Sequence, residues 1–317
     1  MRYFWAQLRK VNYSFMINII GKRKVPFAIS GILFIGSVLL LLIYGLKPGI
    51  DFTGGSLIEV SFTGERPDIL QVQGSVTPLN LGSFITQPSG DDGMILKMKF
   101  LTEDEHQNIL KAIRGSFETD ENKILEDRVD VIGPAISSQL RKRATYTAIA
   151  VIAAIILYVA YAFRRVSGPV KSWKYGIAAI IALIHDVTIT MGVFALLGRF
   201  AGVEVDLPFV VALLTIFGYS VNDTIVVFDR IRENLIYNGS DDFANSVNKG
   251  VNETLMRSIN TSLTALLVLF VLFLLGGDTI HYFSLALIIG ITFGTYSSIF
   301  LASPILVVWE EWGRRKV

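Results

Sequence analysis

The sequence predicts an α-helical polytopic membrane protein with six transmembrane helices and one α+β domain outside the membrane, on a ferredoxin-like βαββαβ plan. Hydrophobic residues make up 52% of the 317 residues and charged residues only 18%, whereas a soluble domain carries roughly 25% charged residues. The apolar residues are concentrated in tracts that approach or exceed the roughly 20 residues needed to cross a bilayer. One long polar segment, 47–143, separates the first tract from the others.

Six apolar tracts are the predicted spans. They cover residues 25–46, 144–163, 175–197, 207–228, 259–275 and 282–309. The fifth is the shortest, but its run LLVLFVLFLL is apolar throughout. No small-x-small cleavage site follows the first tract, so we expect a retained anchor rather than a signal peptide. The predicted organisation is an N-terminal segment 1–24, the first span 25–46, the outer domain 47–143, a bundle of five spans over 144–309 and a tail 310–317.

Basic residues predict which side of the membrane each loop occupies, because cytoplasmic loops carry an excess of Lys and Arg. The N-terminal segment, the connections after the second and fourth spans, and the tail all hold several such residues. The short loops 198–206 and 276–281 hold only Arg199. Both termini are therefore predicted to be cytoplasmic and residues 47–143 extracytoplasmic. A basic cluster at 141–143 opposes this rule, but long translocated domains are exempt from it.

Four strands are predicted in the outer domain. Residues 57–62 (LIEVSF) alternate between apolar and polar side chains, as a half-buried strand does. Residues 80–87 and 94–100 are predicted to form a hairpin around the turn-forming residues 88–93. The segment 124–132 is the last strand candidate.

Two helices complete the predicted plan of this domain. Thr102 and Glu105 have the spacing of a capping box, which opens a helix through about Phe117. A weaker short helix is predicted at 67–73. We expect His106 to be a solvated residue of the first helical turn. No constellation of catalytic residues is present in the domain.

Composition excludes several kinds of site. The sequence has no cysteine, which excludes disulfides, thiolate metal sites and a cysteine nucleophile. Its three histidines lie far apart along the chain, so a histidine-based metal site is not expected. The net charge of +2 gives no indication of a nucleic-acid partner.

Two aspartates fall within predicted spans, where charges are costly and usually functional. Asp186 lies near the middle of the third span beside His185, and Asp223 lies in the inner half of the fourth. Arg230 follows Asp223 by two turns on the same helical face, about 10 Å along the axis, and Asn222 precedes it. A carboxylate subject both to burial and to a nearby cation can bind a proton on one side and release it on the other. These four polar positions, Asp223, Arg230, Asn222 and Asp186, are therefore the candidate proton relay.

Structural interpretations of these charges stay open. His185 and Asp186 are equally compatible with a pair satisfied by neighbouring helices. Asp229, Arg232 and Glu233 are compatible with ordinary interfacial charges at a helix end. The structural interpretation is weaker for Asp223, because no basic residue lies within one turn of it on its own helix. Its partner is therefore expected on another helix or another chain.

Small and hydroxyl residues mark the last two spans. Gly290, Gly294 and Ser298 recur every four residues in the sixth span, which is typical of a face for close helix packing. A polar cluster begins the fifth span: Ser258, Asn260, Thr261, Ser262 and Thr264. This cluster either serves packing or lines a polar path.

Five motifs in this sequence resemble those of the SecD/SecF family, which belongs to the RND superfamily. They are GIDFTGG at 49–55, VIGPA at 131–135, IHDV at 184–187, GYSVNDTIVVFDRIREN at 218–234 and RSINTSL at 257–263. The signature positions after the first span and before the second are Gly49, Asp51, Phe52, Gly54, Gly55, Gly133 and Pro134. The long fourth-span motif, the single set of six spans and the modest outer domain are similar to the SecF branch. The stretch 64–93 departs from that branch, being short and rich in Gly, Pro and Ser.

The resemblance implies a subunit of the bacterial Sec export machinery in the cytoplasmic (inner) membrane. Such a subunit forms half of an RND-type assembly of twice six spans with SecD. It associates with the SecYEG channel, a YajC-like accessory subunit, membrane lipid and preprotein substrates. The family uses the proton-motive force without a cofactor and without enzymatic chemistry. By motif match, the acid of the fourth span is Asp223 and the arginine shortly after it is Arg230.

Two other classes of function remain as alternatives. An RND-type small-molecule exporter would share the proton logic but needs large outer domains with a substrate pocket. An intramembrane aspartyl protease would use Asp186 and Asp223 on consecutive spans. That chemistry requires two carboxylates close enough to share a proton.

Overall fold

The computed structural model describes residues 16–162, 171–238 and 242–315. This part of the chain divides into two compact units. One, the membrane unit, comprises the residues up to Lys47 together with those from Ala148 onward. The other, the sheet unit, is Pro48–Thr147. Six helices in the described residues are long and apolar enough to cross a membrane.

The spanning helices are named in chain order together with the shorter ones. They are α1 (Lys24–Ile43), α5 (Pro134–Ala162), α6 (Ser172–Phe200), α7 (Leu207–Asn238), α8 (Phe243–Leu275) and the pair α9 (Asp278–Ser297) and α10 (Ser303–Arg314). A π turn over Ser298–Ala302 joins α9 to α10, so that the two form one span. Pro304 explains the irregular turn, because proline has no N–H to donate to the carbonyl four residues earlier.

The number of predicted spans agrees with the structure, and several helices extend beyond the apolar tracts predicted as spans. The fifth helix begins at Phe243 rather than at residue 259, and the second begins at Pro134 rather than at 144. Hydropathy detects only the apolar part of a helix, whereas both helices continue into polar sequence. The first helix instead ends early, at Ile43, and Gly45 adopts a left-handed φ of 65° just beyond it. Residues 1–15, 163–170 and 316–317, with several of the basic residues used for orientation, lie outside the described residues.

Small residues allow close approach of helices in the membrane unit. A Cβ added at Gly192 of α6 would lie 2.7 Å from the Cα of Ser37 on α1, so these backbones touch. The rings of Tyr175 and Phe228, both fully buried, pack edge to face with centroids 5.4 Å apart. By contrast, most residues of α5 are exposed within this chain.

The Pro48–Thr147 unit contains an antiparallel four-stranded sheet. Its strands are β1 (Gly55–Phe62), β2 (Phe84–Ser89), β3 (Gly93–Met98) and β4 (Ile124–Ile132), in the sheet order β2-β3-β1-β4. The helices α3 (Ile69–Val76) and α4 (Glu103–Phe117) follow β1 and β3, and the short α2 (Ile50–Thr53) precedes β1. Ile58 pairs with Leu96 on β3 and with Val129 on β4, which places the apolar side of β1 in the core.

Local sequence signals explain the helices of this unit. Both halves of the capping box are formed at Thr102 and Glu105, as predicted. A second capping box, between Asp68 and Gln71, opens α3. It displaces this helix to Ile69–Val76 from the predicted 67–73, because the Asp68 side chain accepts from the Ile69 N–H at 2.7 Å.

Two predictions within the sheet unit were wrong in detail. The hairpin turn is tighter than expected, since Pro88 and Ser89 belong to β2 and Ser89 pairs with Gly93. His106 is buried rather than solvated. Its Nδ1 lies 3.3 Å from Glu103 Oε1 and its Nε2 lies 3.3 Å from Glu126 Oε1. Hydrogen bonds from Gln107 and then from His106 lower the pKa of the exposed Glu103.

Candidate functional site

Asp186 is completely buried in the membrane unit and bound by groups from three helices. Its Oδ2 accepts hydrogen bonds from Ser220 Oγ of α7 at 2.6 Å and from Ser297 Oγ of α9 at 2.7 Å. Its Oδ1 lies 2.9 Å from Nδ1 of His185, its neighbour on α6. The predicted structural pairing of His185 with Asp186 is therefore present, but the pair also holds two further helices together.

Asp223 is the second buried acid, with 8% of its surface exposed. Its Oδ1 accepts from Ser258 Oγ of α8 at 2.5 Å, and its Oδ2 accepts from Ser298 Oγ of the π turn at 2.5 Å. The partners of Asp223 come from other helices, as predicted, and both belong to this chain. Short bonds from hydroxyl groups to an ionised acceptor are among the stronger hydrogen bonds in proteins.

One face of α9 and the π turn sets the geometry of both acids. A Cβ added at Gly294 would lie 3.1 Å from the Cβ of Ser220, so α9 and α7 approach closely beside Asp186. The consecutive residues Ser297 and Ser298 then reach one acid each. The predicted small-residue face of Gly290, Gly294 and Ser298 is confirmed as a packing face, and its last member also binds Asp223.

Serine is suited to these sites because a hydroxyl can either donate or accept. A serine donates to an ionised carboxylate and accepts from a protonated one, so the same contact persists in both states. Each buried acid has two such ligands: Ser220 and Ser297 for Asp186, Ser258 and Ser298 for Asp223. The arrangement can therefore accommodate a proton on either carboxylate without leaving a polar atom unsatisfied.

The cation whose charge acts on Asp223 is Arg257 of α8, the neighbour of Ser258. Arg230, predicted on sequence to share a face with Asp223, is engaged elsewhere. Its Nε lies 2.7 Å from Glu253 Oε2 and its Nη1 lies 2.5 Å from Glu233 Oε2. Of the two arginines, Arg257 is therefore the one whose charge acts on the acid.

Other predicted polar residues are only partly brought to the site. Asn222 is exposed and makes no hydrogen bond to Asp223 within the residues described here. Of the polar cluster that begins the fifth predicted span, Ser258 binds Asp223, and Ser262 bonds with Thr295 of α9. Thr261 donates to the carbonyl of Arg257 on its own helix instead.

Two ligands of Asp186 were not identified from sequence. Ser220 lies one helical turn before Asp223, and Ser297 immediately precedes the residue that binds Asp223. A search for hydroxyl residues one turn from a span-embedded acid would have found Ser220. Ser297 carries no sequence signal of its own, because its contact with Asp186 depends on how α9 packs against α6.

The two aspartates do not form a shared carboxylate pair. In the part of the chain that the structure describes, each binds its own serines and no hydrogen bond joins them. A proton shared between carboxylates, as aspartyl proteases require, is absent from this arrangement. The described residues also contain no group of three or more His, Cys, Asp or Glu that could hold a metal ion.

The glycine signature after the first span forms a tight turn into β1. Gly49 precedes α2, which contains Asp51 and Phe52. Gly54 and Gly55 have φ values of 75° and 135°, a region that L side chains rarely adopt. A Cβ at Gly55 would lie 2.6 Å from the Met98 carbonyl oxygen. Glycine is therefore required here by backbone geometry.

A second pair of signature residues ends the sheet. Gly133 separates β4 from α5, and Pro134 is the first residue of that helix. Proline is favoured at this position because the first N–H groups of a helix have no partner within it. These signature residues thus have structural reasons for their identity.

Comparison with known protein families identifies two matching segments. Residues 112–312 match the C-terminal family of the protein export membrane proteins SecD and SecF, and residues 39–64 match the SecD/SecF GG motif. The chain belongs to the SecD/SecF family. The resemblance noted in its motifs is thereby confirmed.

Individual relatives of this SecD/SecF-family chain are similar along almost their whole length. The protein translocase subunit SecF of Thermobaculum terrenum is 39% identical over 312 residues, covering 93% of this chain and 95% of the relative. The protein of the same name from Anaerolinea thermophila is 38% identical over 301 residues, covering 94% and 96%.

A solved structure is similar in fold. The crystal structure of SecDF, a translocon-associated membrane protein from Thermus thermophilus, matches with a TM-score of 0.78 and 32% identity. The match covers 94% of this chain and 39% of the SecDF chain. This chain therefore spans about two fifths of the length of that relative.

Proposed function

We propose that this chain is a SecF-type subunit of the Sec preprotein export machinery and couples the proton-motive force to late steps of translocation. The proposal rests on membership of the SecD/SecF family and on relatives named protein translocase subunit SecF. The single observation that carries the coupling is the buried Asp223, which among the described residues is held by the hydroxyl groups of Ser258 and Ser298 and lies in the field of Arg257.

The proposed cycle needs no covalent chemistry and no cofactor. Protonation of Asp223 removes a buried charge, and the carboxyl then donates its one proton to either Ser258 or Ser298. That serine becomes an acceptor while the other still donates to the unprotonated oxygen, which alters how α8 and the last span are held. A membrane potential of 100 mV supplies about 2.3 kcal/mol per elementary charge moved. Several protons are needed for a large shift of a two-state element, because a change from 1:99 to 99:1 requires about 5.5 kcal/mol.

The setting proposed for this cycle is the bacterial cytoplasmic membrane, with both termini cytoplasmic and the sheet unit outside. We assign the sheet unit to a ferredoxin-like plan, since its elements follow the order β1-α3-β2-β3-α4-β4. The partners are a SecD subunit, the SecYEG channel, a YajC-like accessory subunit and preprotein. The exposed residues of α5 provide apolar surface for lipid or for such a partner.

A proton-coupled small-molecule exporter is the competing proposal. It would use the same acids but would need a substrate pocket in its extramembrane part. The sheet unit is built around one small apolar core, and a cavity of about 740 Å³ in it has a mostly polar lining open at the surface. This unit suits contact with a polypeptide better than enclosure of an apolar compound.

Export driven by an imposed proton gradient tests the proposed function. In vesicles carrying the full complex, Asp223→Asn should abolish the gradient-dependent part of preprotein export while the complex still assembles. Near-normal export by this variant would contradict the proposal. Co-purification with the SecD-type partner controls for assembly.

A second pair of variants decides which arginine serves Asp223. Arg257→Gln removes the cation whose charge acts on the acid, so it should reduce gradient-dependent export strongly. Arg230→Gln removes a cation that is engaged by Glu253 and Glu233, so it should leave most of that export in place. The reverse order of effects would restore Arg230 as the relay arginine.

A further inference from the structure

His185 is a buried histidine with one ring nitrogen unused. Its side chain is 5% exposed, and its Nδ1 is engaged by Asp186 at 2.9 Å. Its Nε2 is buried and has no hydrogen-bond partner among the described residues. A buried, unpaired ring nitrogen is costly, so its presence beside an acid suggests a chemical use.

The unused nitrogen belongs to a residue that lines a groove of about 460 Å³ between α1, α6 and the last span. Phe34 of α1 stacks on the imidazole with ring centroids 6.4 Å apart and planes 11° apart. Ser30 of α1 also lines the groove, and its Oγ lies 3.4 Å from the hydroxyl of Tyr296. The remaining lining is apolar, including Leu301 and Ile305.

Few titratable groups surround His185. On its own helix it meets Asp186, and the last span lines the same groove with the apolar Leu301 and Ile305. The Tyr296 hydroxyl lies 3.4 Å from Ser30 Oγ. The facing part of α1 carries Ser30 and Phe34, and α7 contributes the Ser220 hydroxyl, which donates to Asp186. Within the described residues, no cation lines the groove or binds Asp186. An ionised Asp186 beside a neutral imidazole would therefore be a buried charge without a counter-ion, which is strongly disfavoured.

The serines that join the two acids each have an alternative acceptor. Ser297 Oγ lies 3.1 Å from the Gly294 carbonyl oxygen as well as 2.7 Å from Asp186 Oδ2. Ser298 Oγ lies 3.0 Å from the Thr295 carbonyl oxygen as well as 2.5 Å from Asp223 Oδ2. A hydroxyl has one proton to donate, so each serine donates either to its acid or to the backbone.

We propose that His185 and Asp186 form a second proton-binding pair, and that Ser297 and Ser298 link its protonation to that of Asp223. This inference rests on the proposed function and extends it to a second site. A proton bound at Nε2 of His185 lets the Nδ1 proton pass to Asp186, so the pair gains one proton and loses its single negative charge. That proton lies on Oδ1, so Oδ2 of the neutral carboxyl is a weaker acceptor and the Ser297 hydroxyl turns to donate to the Gly294 carbonyl. Because Ser298 is the next residue of the same helical segment, the altered contact of Ser297 with Asp186 changes the contact of Ser298 with Asp223.

Histidine-selective ¹⁵N NMR of the full-length chain in lipid nanodiscs tests the proposal directly. The sequence has three histidines, His106, His185 and His281, so the spectrum contains three imidazoles and His185→Gln assigns one of them. We expect the His185 signals to report a change of protonation state when the pH is varied, because histidine is the side chain that commonly changes charge near neutral pH. We also expect the midpoint to change in Asp223→Asn, while that of His106 in the sheet unit stays constant.

The linking role of the serines has its own variants. Ser298→Ala should abolish the dependence of the His185 midpoint on residue 223, and Ser298→Thr, which keeps the hydroxyl, should retain it. Ser284→Ala is the matched control, since Ser284 is a fully buried serine of the same span that contacts neither acid. A His185 that keeps one protonation state throughout, or whose midpoint is the same in all variants, would overturn the proposal. Export by Asp223→Asn is scored separately, so loss of the proposed function is distinguishable from failure of this inference.

Discussion

Gly290 provides a direct test of how the last span is held against α7. A Cβ added at Gly290 would overlap the side chain of Ile216, with its Cγ2 only 2.9 Å away. Ile216 is fully buried and β-branched, so it has few alternative rotamers. Gly290→Ala therefore forces either a displaced isoleucine or a separation of the two helices. Both consequences reach Asp186, because Ser220 follows Ile216 by one turn.

The expected loss is obtained by comparison with a glycine that has free space. Carbon atoms in contact normally lie about 3.5–4.0 Å apart, so the helices must part by roughly half an ångström or more. Overpacking of this kind costs about 1–3 kcal/mol. A helical glycine replaced by alanine otherwise gains about 1 kcal/mol. At Gly218 of α7 an added Cβ meets nothing within 4 Å, so Gly218→Ala carries the gain alone.

The difference between the two variants isolates the packing cost. Both replace a glycine within a helix, so helix propensity cancels and Gly290→Ala should be about 1–3 kcal/mol less stable than Gly218→Ala. Reversible unfolding of the purified chain in mixed micelles, followed by helical circular dichroism, measures this difference. Equal stability of the two variants would refute the close packing of α9 on α7.

Three further predictions concern the sheet unit and the ion pairs of α7. Thr102→Ala should destabilise the sheet unit by about 1 kcal/mol, measured by hydrogen exchange of α4, with Thr102→Ser as control. Hydrogen bonds from the Thr102 backbone and side chain lower the pKa of Glu105 below its usual 4.5. The stabilising effect of that carboxylate is therefore present above pH 4.5 and lost in more acidic solution, so the Thr102→Ala penalty should shrink there. Leu96 is fully buried in β3, so Leu96→Ala should lower the stability of the sheet unit by about 2–5 kcal/mol in the same exchange experiment. An unchanged exchange rate in β1 and β3 would contradict the described core. Glu253→Gln should lower stability by less than about 1 kcal/mol, because its partner Arg230 is 37% exposed, and preprotein export should be retained. A large loss of stability or of export would show that this ion pair matters more than its exposure indicates.

Much of the fold was accessible from sequence because its signals are local. The capping box of Thr102 and Glu105 and the alternation of β1 depend on neighbouring residues, and both were predicted correctly. The six spans follow from hydrophobic length alone. Where helices continue beyond the apolar tract, as α8 does to Phe243, hydropathy carries no information about where the helix begins.

The site was only partly predictable because its contacts are made between helices. Helical spacing identified Asp223 and its neighbour Arg230, but an ion pair with Glu253 depends on α8 and cannot be deduced from α7 alone. Asn222 is adjacent to Asp223 in sequence, yet adjacent residues on a helix point about 100° apart. His106 was misjudged for a related reason, since its burial depends on β4 and the side chain of Glu126.

The π turn that begins at Ser298 has a mechanical consequence. Ser297 and Ser298 project about 100° apart from one helical axis, and each is bound to an acid on a different neighbouring helix. Rotation of this segment about its axis therefore changes both contacts by the same angle. The serines that bind the two carboxylates therefore rotate together. The π turn is the place where the last span can twist without unwinding along its length.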